Sequence, residues 1–189
     1  MRALLAFALT GFALCASLPS EARVAGPMGR APKLPSRLTA PKTYVEKGGL
    51  FSLQRPESEL WRFESGARDR HGEAIPLLAR SDETGAQLSV QSADGVPSAE
   101  MLCNVLAEKL ATESGVHVED PAPMKARGGD AFVFAFTSGD ESRGRVAVVP
   151  AGNHFVLIVA SWPLGSPAQV SEDVEAMIRS VGPADLAKR

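Results

Sequence analysis

Two six-residue runs, 131–136 (Ala-Phe-Val-Phe-Ala-Phe) and 155–160 (Phe-Val-Leu-Ile-Val-Ala), are apolar at every position. A strand that is apolar on both faces must be covered on both, so these runs predict central strands with a layer on either side. Between them lies a shorter strand at 145–149, and the joins Ser138-Gly139-Asp140-Glu141 and Pro150-Ala151-Gly152-Asn153 carry turn chemistry of hairpin length. Joins this short force antiparallel neighbours, because a parallel crossover needs a dozen residues or more. Upstream, 86–92 alternates apolar and polar as a half-buried strand does, and Gly85 separates it from a strand at 75–80. Short strands are predicted at 50–53, 60–63 and 116–118, with polar loops at 64–73 and 119–130.

The period changes twice. After Ser98, an N-cap residue with Glu100 in the first turn behind it, Met101, Leu102, Val105, Leu106 and Leu110 recur at helical spacing, and Gly115 closes the segment. Val170, Val174, Met177, Ile178 and Val181 define a second helix, stopped by Gly182-Pro183. Glu172 and Asp173 are expected in its first turn, where they suit the helix dipole. The fold class that follows is α+β: an antiparallel, meander-type sheet of about six to seven strands with one main helix on each face, an α/β/α sandwich.

The N-terminus has a different character. Arg2 precedes an apolar run at 3–18, Pro19 breaks it, and Ser20-Glu21-Ala22 places small residues at −3 and −1 of a cleavage after Ala22. The expected organisation is a signal peptide at 1–22, a basic Pro/Gly-rich linker at 23–47, a single α+β domain at 48–183 and a tail at 184–189. The run is short for a bilayer span, which needs roughly 20 residues, so an uncleaved anchor is the lesser reading. Lipidation at Cys15 is disfavoured by the bulky Leu14 before it. The expected location is therefore periplasmic or extracellular, with membrane contact only through the signal peptide or a lipidated Cys15.

Charge narrows the partners. Residues 23–47 carry six basic side chains against Glu46 alone, whereas 48–189 carry 13 basic against 20 acidic. An acidic folded part argues against nucleic acid, and the spread cations read as a solvated linker. After cleavage only Cys103 remains, so no intramolecular disulfide is possible. Beside Leu102 and one turn from Leu106, Cys103 reads as a small buried hydrophobe.

The sequence offers little chemistry. His71, His117 and His154 have no second His or Cys at metal-ligand spacing. His71-Gly72-Glu73 matches half of a zinc-deaminase signature, but the Pro-Cys-x-x-Cys half is missing. There is no Gly-x-Ser-x-Gly elbow, phosphate-binding loop or dinucleotide fingerprint. Asp82-Glu83-Thr84-Gly85 is a turn with too few acids for calcium. A Cys103/His117 pair lacks a cationic neighbour to activate the thiol. Adjacent acids at Glu119-Asp120 and Glu172-Asp173 diverge on a strand or helix. Tyr44, Trp61 and Trp162 are too sparse for a stacking platform, and the tryptophans read as packing at the core edge. No catalytic, cofactor or metal residue is assigned and no cofactor is expected. Binding residues stay unassigned, although the loops at 66–73 (Arg68, Asp69, Arg70, His71) and 119–130 (Met124, Lys125, Arg127) are where binding would reside.

The order of elements resembles the PsbP-like α/β/α sandwich superfamily, which includes the extrinsic photosystem II protein, a Ran-binding import factor and bacterial envelope proteins. The residues that carry the resemblance are Gly49-Leu50-Phe51-Ser52-Leu53-Gln54-Arg55-Pro56 with Trp61 after it, the run at 155–160, and the helix at 171–181. The resemblance spans roughly 48–181 and implies a non-enzymatic domain that binds another protein. No functional residue carries over, and a photosynthetic role is not implied. The reading is an exported accessory or assembly protein of the bacterial cell envelope, partnered by another envelope protein. Its rivals are a carrier of a small apolar ligand held between sheet and helix, and a hydrolase whose site is not visible in sequence.

Overall fold

The structure, a computed structural model, describes residues 42–68, 72 and 74–184. The expected signal peptide, nearly all of the linker, His71 and the end of the tail lie outside the described residues.

The chain opens with a small hairpin, β1 (Thr43–Val45) against β2 (Ser52–Gln54), and continues into β3 (Arg62–Arg68), β4 (Ala74–Arg80) and β5 (Gln87–Ala93). Helix α1 (Ala99–Ala111) follows, then β6 (Val116–Val118), β7 (Ala122–Ala126), β8 (Gly129–Ser138), β9 (Ser142–Ala151), β10 (His154–Pro163) and α2 (Ala168–Ser180). As the sequence predicts, Ser98 caps α1: its side chain accepts from the Met101 amide at 3.1 Å. Gly115, at φ +77°, makes the left-handed turn into β6.

Eight strands form one antiparallel sheet in the order β3-β4-β5-β10-β9-β8-β6, with β7 also paired to β8. It is two three-stranded meanders, β3-β4-β5 and β8-β9-β10, joined where β5 pairs with β10. α1 is the crossover, carrying the chain from the middle of the sheet to its far edge.

Side-chain alternation divides the sheet into two buried layers. On one face Val90, Ala147, Val149, Val156, Ile158 and Trp162 pack with Phe51 and Leu53 of the hairpin and with Val170, Val174, Met177 and Ile178 of α2. On the other, Phe134, Phe136, Val146 and Val148 are buried, and α1, whose Cys103, Leu106, Ala107 and Leu110 point inward, lies over β8, β9 and β6. None of the side chains of residues 131–136 or 155–160 is exposed. Both apolar runs are therefore covered on both flanks, and the α/β/α sandwich stands.

Three expectations need correcting. The main sheet has eight strands, not six or seven, with a two-stranded sheet besides. One of the extra strands, β7, comes from the segment predicted as the loop 119–130. Between the pairs Val118↔Phe136 and Ala122↔Val133 lie three residues on the outer strand and two on β8. That is a bulge, and it holds Pro121, which has no N–H to give the ladder. β6 and β7 thus form one interrupted edge strand, a position that tolerates Pro121 and Pro123. At the opposite edge, Glu64–Arg68 was expected in a loop but extends β3, paired with β4 as far as Arg68↔Ala74. β1, finally, arises within residues assigned to the linker. Tyr44 fastens it: its hydroxyl donates to the Pro76 carbonyl at 2.8 Å, and its ring meets Phe51 and Phe63.

Candidate functional site

The side chains that could carry chemistry sit apart. His117 is exposed on β6. His154 opens β10, its Nδ1 2.7 Å from Asp94 Oδ1, in a largely exposed pair that joins the β9–β10 turn to the segment before α1. Cys103 is fully buried under α1, and burial, which penalises the thiolate, pushes its thiol up to about 12. Among the described residues, neither hydrogen bond nor ion pair joins Cys103 to either histidine, and no group of three or more His, Cys, Asp or Glu is placed to hold a metal.

Where charge is buried, it ties elements together. Asp173, 4 % exposed, accepts from Trp61 Nε1 at 2.9 Å, Gln169 Nε2 at 2.9 Å and the Ser58 hydroxyl. Three donors keep this carboxylate satisfied inside the core. The clamp fastens the segment leading into β3 onto α2. Asp173 is not in the first turn of α2, as the pattern had suggested: the helix begins at Ala168 and has no acid in its first turn. Trp61 is more than packing, because its indole is the clamp's second arm. No signal in the sequence marks Asp173, which reads like any acid on a polar helix face.

A second knot closes the opposite end of α2. Arg127, in the β7–β8 turn, donates from Nη2 to the Ser52 carbonyl at 2.9 Å and to Ser52 Oγ at 2.7 Å. Its own amide donates to the Arg179 carbonyl, and that of Gly128 to Val181, both at 2.8 Å. Ser52 and Gly182 exchange both backbone hydrogen bonds. Burial lowers the Arg127 pKa. Met124, Lys125 and Arg127, in the segment expected as a loop, therefore lie in a paired edge strand and its turn: Met124 packs on the core, Lys125 pairs with Asp130, and Arg127 ties the turn to Ser52. Of the other predicted loop, Arg68 ends β3 and donates to the Gly72 carbonyl, while Asp69, Arg70 and His71 lie outside the described residues.

Among the described residues, the exposed large apolar side chains are Val45, Met101 and Leu164. Met101 is 52 % exposed, although its spacing had placed it on the core stripe of α1. With half-buried Leu102 and Val105 it forms an apolar shoulder on that helix.

An antiparallel sheet between two helices defines the α/β/α sandwich class. Solved structures place the fold more closely. The solution structure of cyanobacterial PsbP (CyanoP) from Synechocystis sp. PCC 6803 matches with a TM-score of 0.53 at 11% identity, over 84% of this chain and 99% of that one. The Ran-binding protein Mog1p of Saccharomyces cerevisiae matches at a TM-score of 0.42 and 12% identity, over 77% and 96% of the two chains. A Bacteroides thetaiotaomicron crystal structure matches at 0.42 and 12%, over 75% of this chain and 48% of that one. The chain has the PsbP-like fold. No protein-family model matches it, and no curated protein does.

Proposed function

We propose that the chain is an exported accessory or assembly protein of a bacterial cell envelope that acts by binding another protein rather than by catalysis. The observation that carries the reading is the PsbP fold, reproduced across 99% of CyanoP, in a chain where Asp173 and Arg127 hold elements together. The apolar run at 3–18 with its small-residue cleavage pattern supports export. The acidic balance of 48–189 supports a protein partner over nucleic acid.

The test is fractionation of cells expressing the tagged full chain at native level, followed by sizing of the envelope extract. The reading requires the chain in the exported fraction, shortened at its N-terminus, and eluting with a defined second protein that remains after crosslinking. Elution as a free monomer from every fraction, or a turnover lost on replacing His117 or His154, overturns it.

A further inference from the structure

Charge is not spread evenly over the molecule. Residues 48–189 carry 20 acids against 13 bases, a net −7, and the stretches 99–120 and 138–141 alone hold seven acids against Lys109, a net −6. These stretches are α1, β6 with the start of the bulge after it, and the turn between β8 and β9. The fold brings them together. The Gly139 amide donates to the Gly115 carbonyl at 2.8 Å, and Val116 pairs with Ser138, so the turn that carries Asp140 and Glu141 lies against the end of α1. All seven acids are exposed, and none is in an ion pair among the described residues.

The outer face of α1 runs into this acidic end. Met101, Val105 and Glu108 stand at i, i+4 and i+7, one row along the helix on the side away from the buried stripe of Cys103, Leu106 and Leu110. Met101 is 52 % exposed, and Leu102 and Val105 are half-buried beside it. The row therefore grades from apolar at the start of α1 to acidic at its end. There Glu108 and Glu113 are joined by Asp140 and Glu141 of the neighbouring turn, and the negative pole of the helix adds about −0.5 charge.

We propose that this face of α1 is the docking surface for a basic segment of another protein, its apolar side chain on Met101, Leu102 and Val105 and its lysines or arginines over Glu108, Glu113 and the β8–β9 turn. The inference rests on the protein-binding reading and gives it a surface and a partner chemistry. Charge complementarity selects the occupant: an acidic segment or an anionic lipid surface would be repelled here, while a cationic one is steered in. The apolar contact at Met101 adds what charge lacks, a fixed position along the row, because rim charges act more on encounter rate and partner choice than on register. Thirteen residues of α1 span about 20 Å, enough for six or so residues of an extended partner at about 3.3 Å each.

The test is site-specific photocrosslinking in cells expressing the full chain, with benzoylphenylalanine placed in turn at 101, 108, 82 and 164, all exposed positions. Crosslinks are expected at 101 and 108 and not at 82 or 164, and sequencing of the crosslinked partner peptide should show a net positive segment with an apolar residue nearest position 101. Reversing charge with Glu108→Lys and Glu113→Lys together should lower the yield at 101 at least about tenfold, as like charges across an interface do. Val105→Ser should lower the yield at 108 less. Equal melting temperatures of the variants and the parent chain show that the fold is kept. Crosslinks at 82 or 164 but not at 101 and 108 overturn this surface and leave the protein-binding reading standing, whereas no crosslink at any position overturns both. A neutral or acidic partner segment, a crosslink to the same chain, or a yield indifferent to charge reversal also overturns the proposal.

Discussion

Asp173 shows how one side chain can hold a segment that has little regular structure of its own. Its three donors come from Ser58, Trp61 and Gln169, so Asp173→Ala strands buried N–H and O–H groups as well as removing the acceptor. We expect a loss of about 2–3 kcal/mol in urea unfolding, with Trp61 emission shifting red before the global transition. A change under half of that loss would mean the clamp closes on water instead. Cys103 makes the opposite statement, because its chemistry is silenced by packing. Its folded pKa, about 12, lies above the ordinary 9.0. The neutral thiol's burial therefore favours the fold fully below pH 9, and that contribution is lost as pH rises toward 12. Alkylation of the native protein by iodoacetamide at pH 8 should proceed only at the rate of unfolding. Space matters as much as charge at Gly144, where an added Cβ would sit 2.2 Å from the Ala160 carbonyl oxygen and 2.4 Å from the Phe136 ring. Gly144→Ala should cost about 2–3 kcal/mol by thermal unfolding, through β9–β10 separation.

Elements divide by how much of their burial is written in local pattern. Residues 131–136 and 155–160 declare β8 and β10, because a run with no polar position has only one place in a fold. α2 is legible for the same reason in the helical period. β7 is not: Lys125, Pro121 and Pro123 read as loop, and only the open edge of β8, a tertiary fact, makes them strand. β1 depends on Tyr44 finding Pro76, 32 residues on. On α1 the apolar spacing was right in period and partly wrong in phase, since Met101 lies outside while Ala99, Cys103 and Ala107 fill the inward stripe. Asp173 and Arg127 were unreadable because a charge tied inside the fold has the same letter as a solvated one. The knot at Arg127 is testable at this scale. Arg127→Ala should cost about 1.5–3 kcal/mol and speed amide exchange at Ser52 and Gly182 together, since they share the tie. If the Ser52 and Gly182 amides keep their protection, the joint is held by backbone bonds alone. Glu175 docks the middle of α2: the hydrogen bond from Arg179, then Arg145, holds its pKa below the ordinary range. Its contribution is present above the ordinary carboxylate pKa and fades as pH falls through the lowered one. Glu175→Gln should lower stability at neutral pH, flatten the acid limb of a stability–pH profile and leave its most acidic end little changed.

At the scale of the molecule, two separately filled cores share one sheet. The α2 core includes Phe51, Leu77, Leu88, Ile158, Met177 and Ile178, each no more than 1 % exposed, and these side chains fill the region where a carrier would need a ligand cavity. The α1 layer closes the other face over β8, β9 and β6. The proposed role calls for such an organisation, a body fastened by Asp173 and Arg127. Hydrogen exchange of the full chain addresses the organisation directly. The amides of β8 and β10 should be the slowest in the molecule, exchanging only through global unfolding and by the same free energy along both strands. Fast, local exchange along either strand would mean that one of its flanks is open to water, and would contradict the two-sided burial on which the fold and the binding role rest.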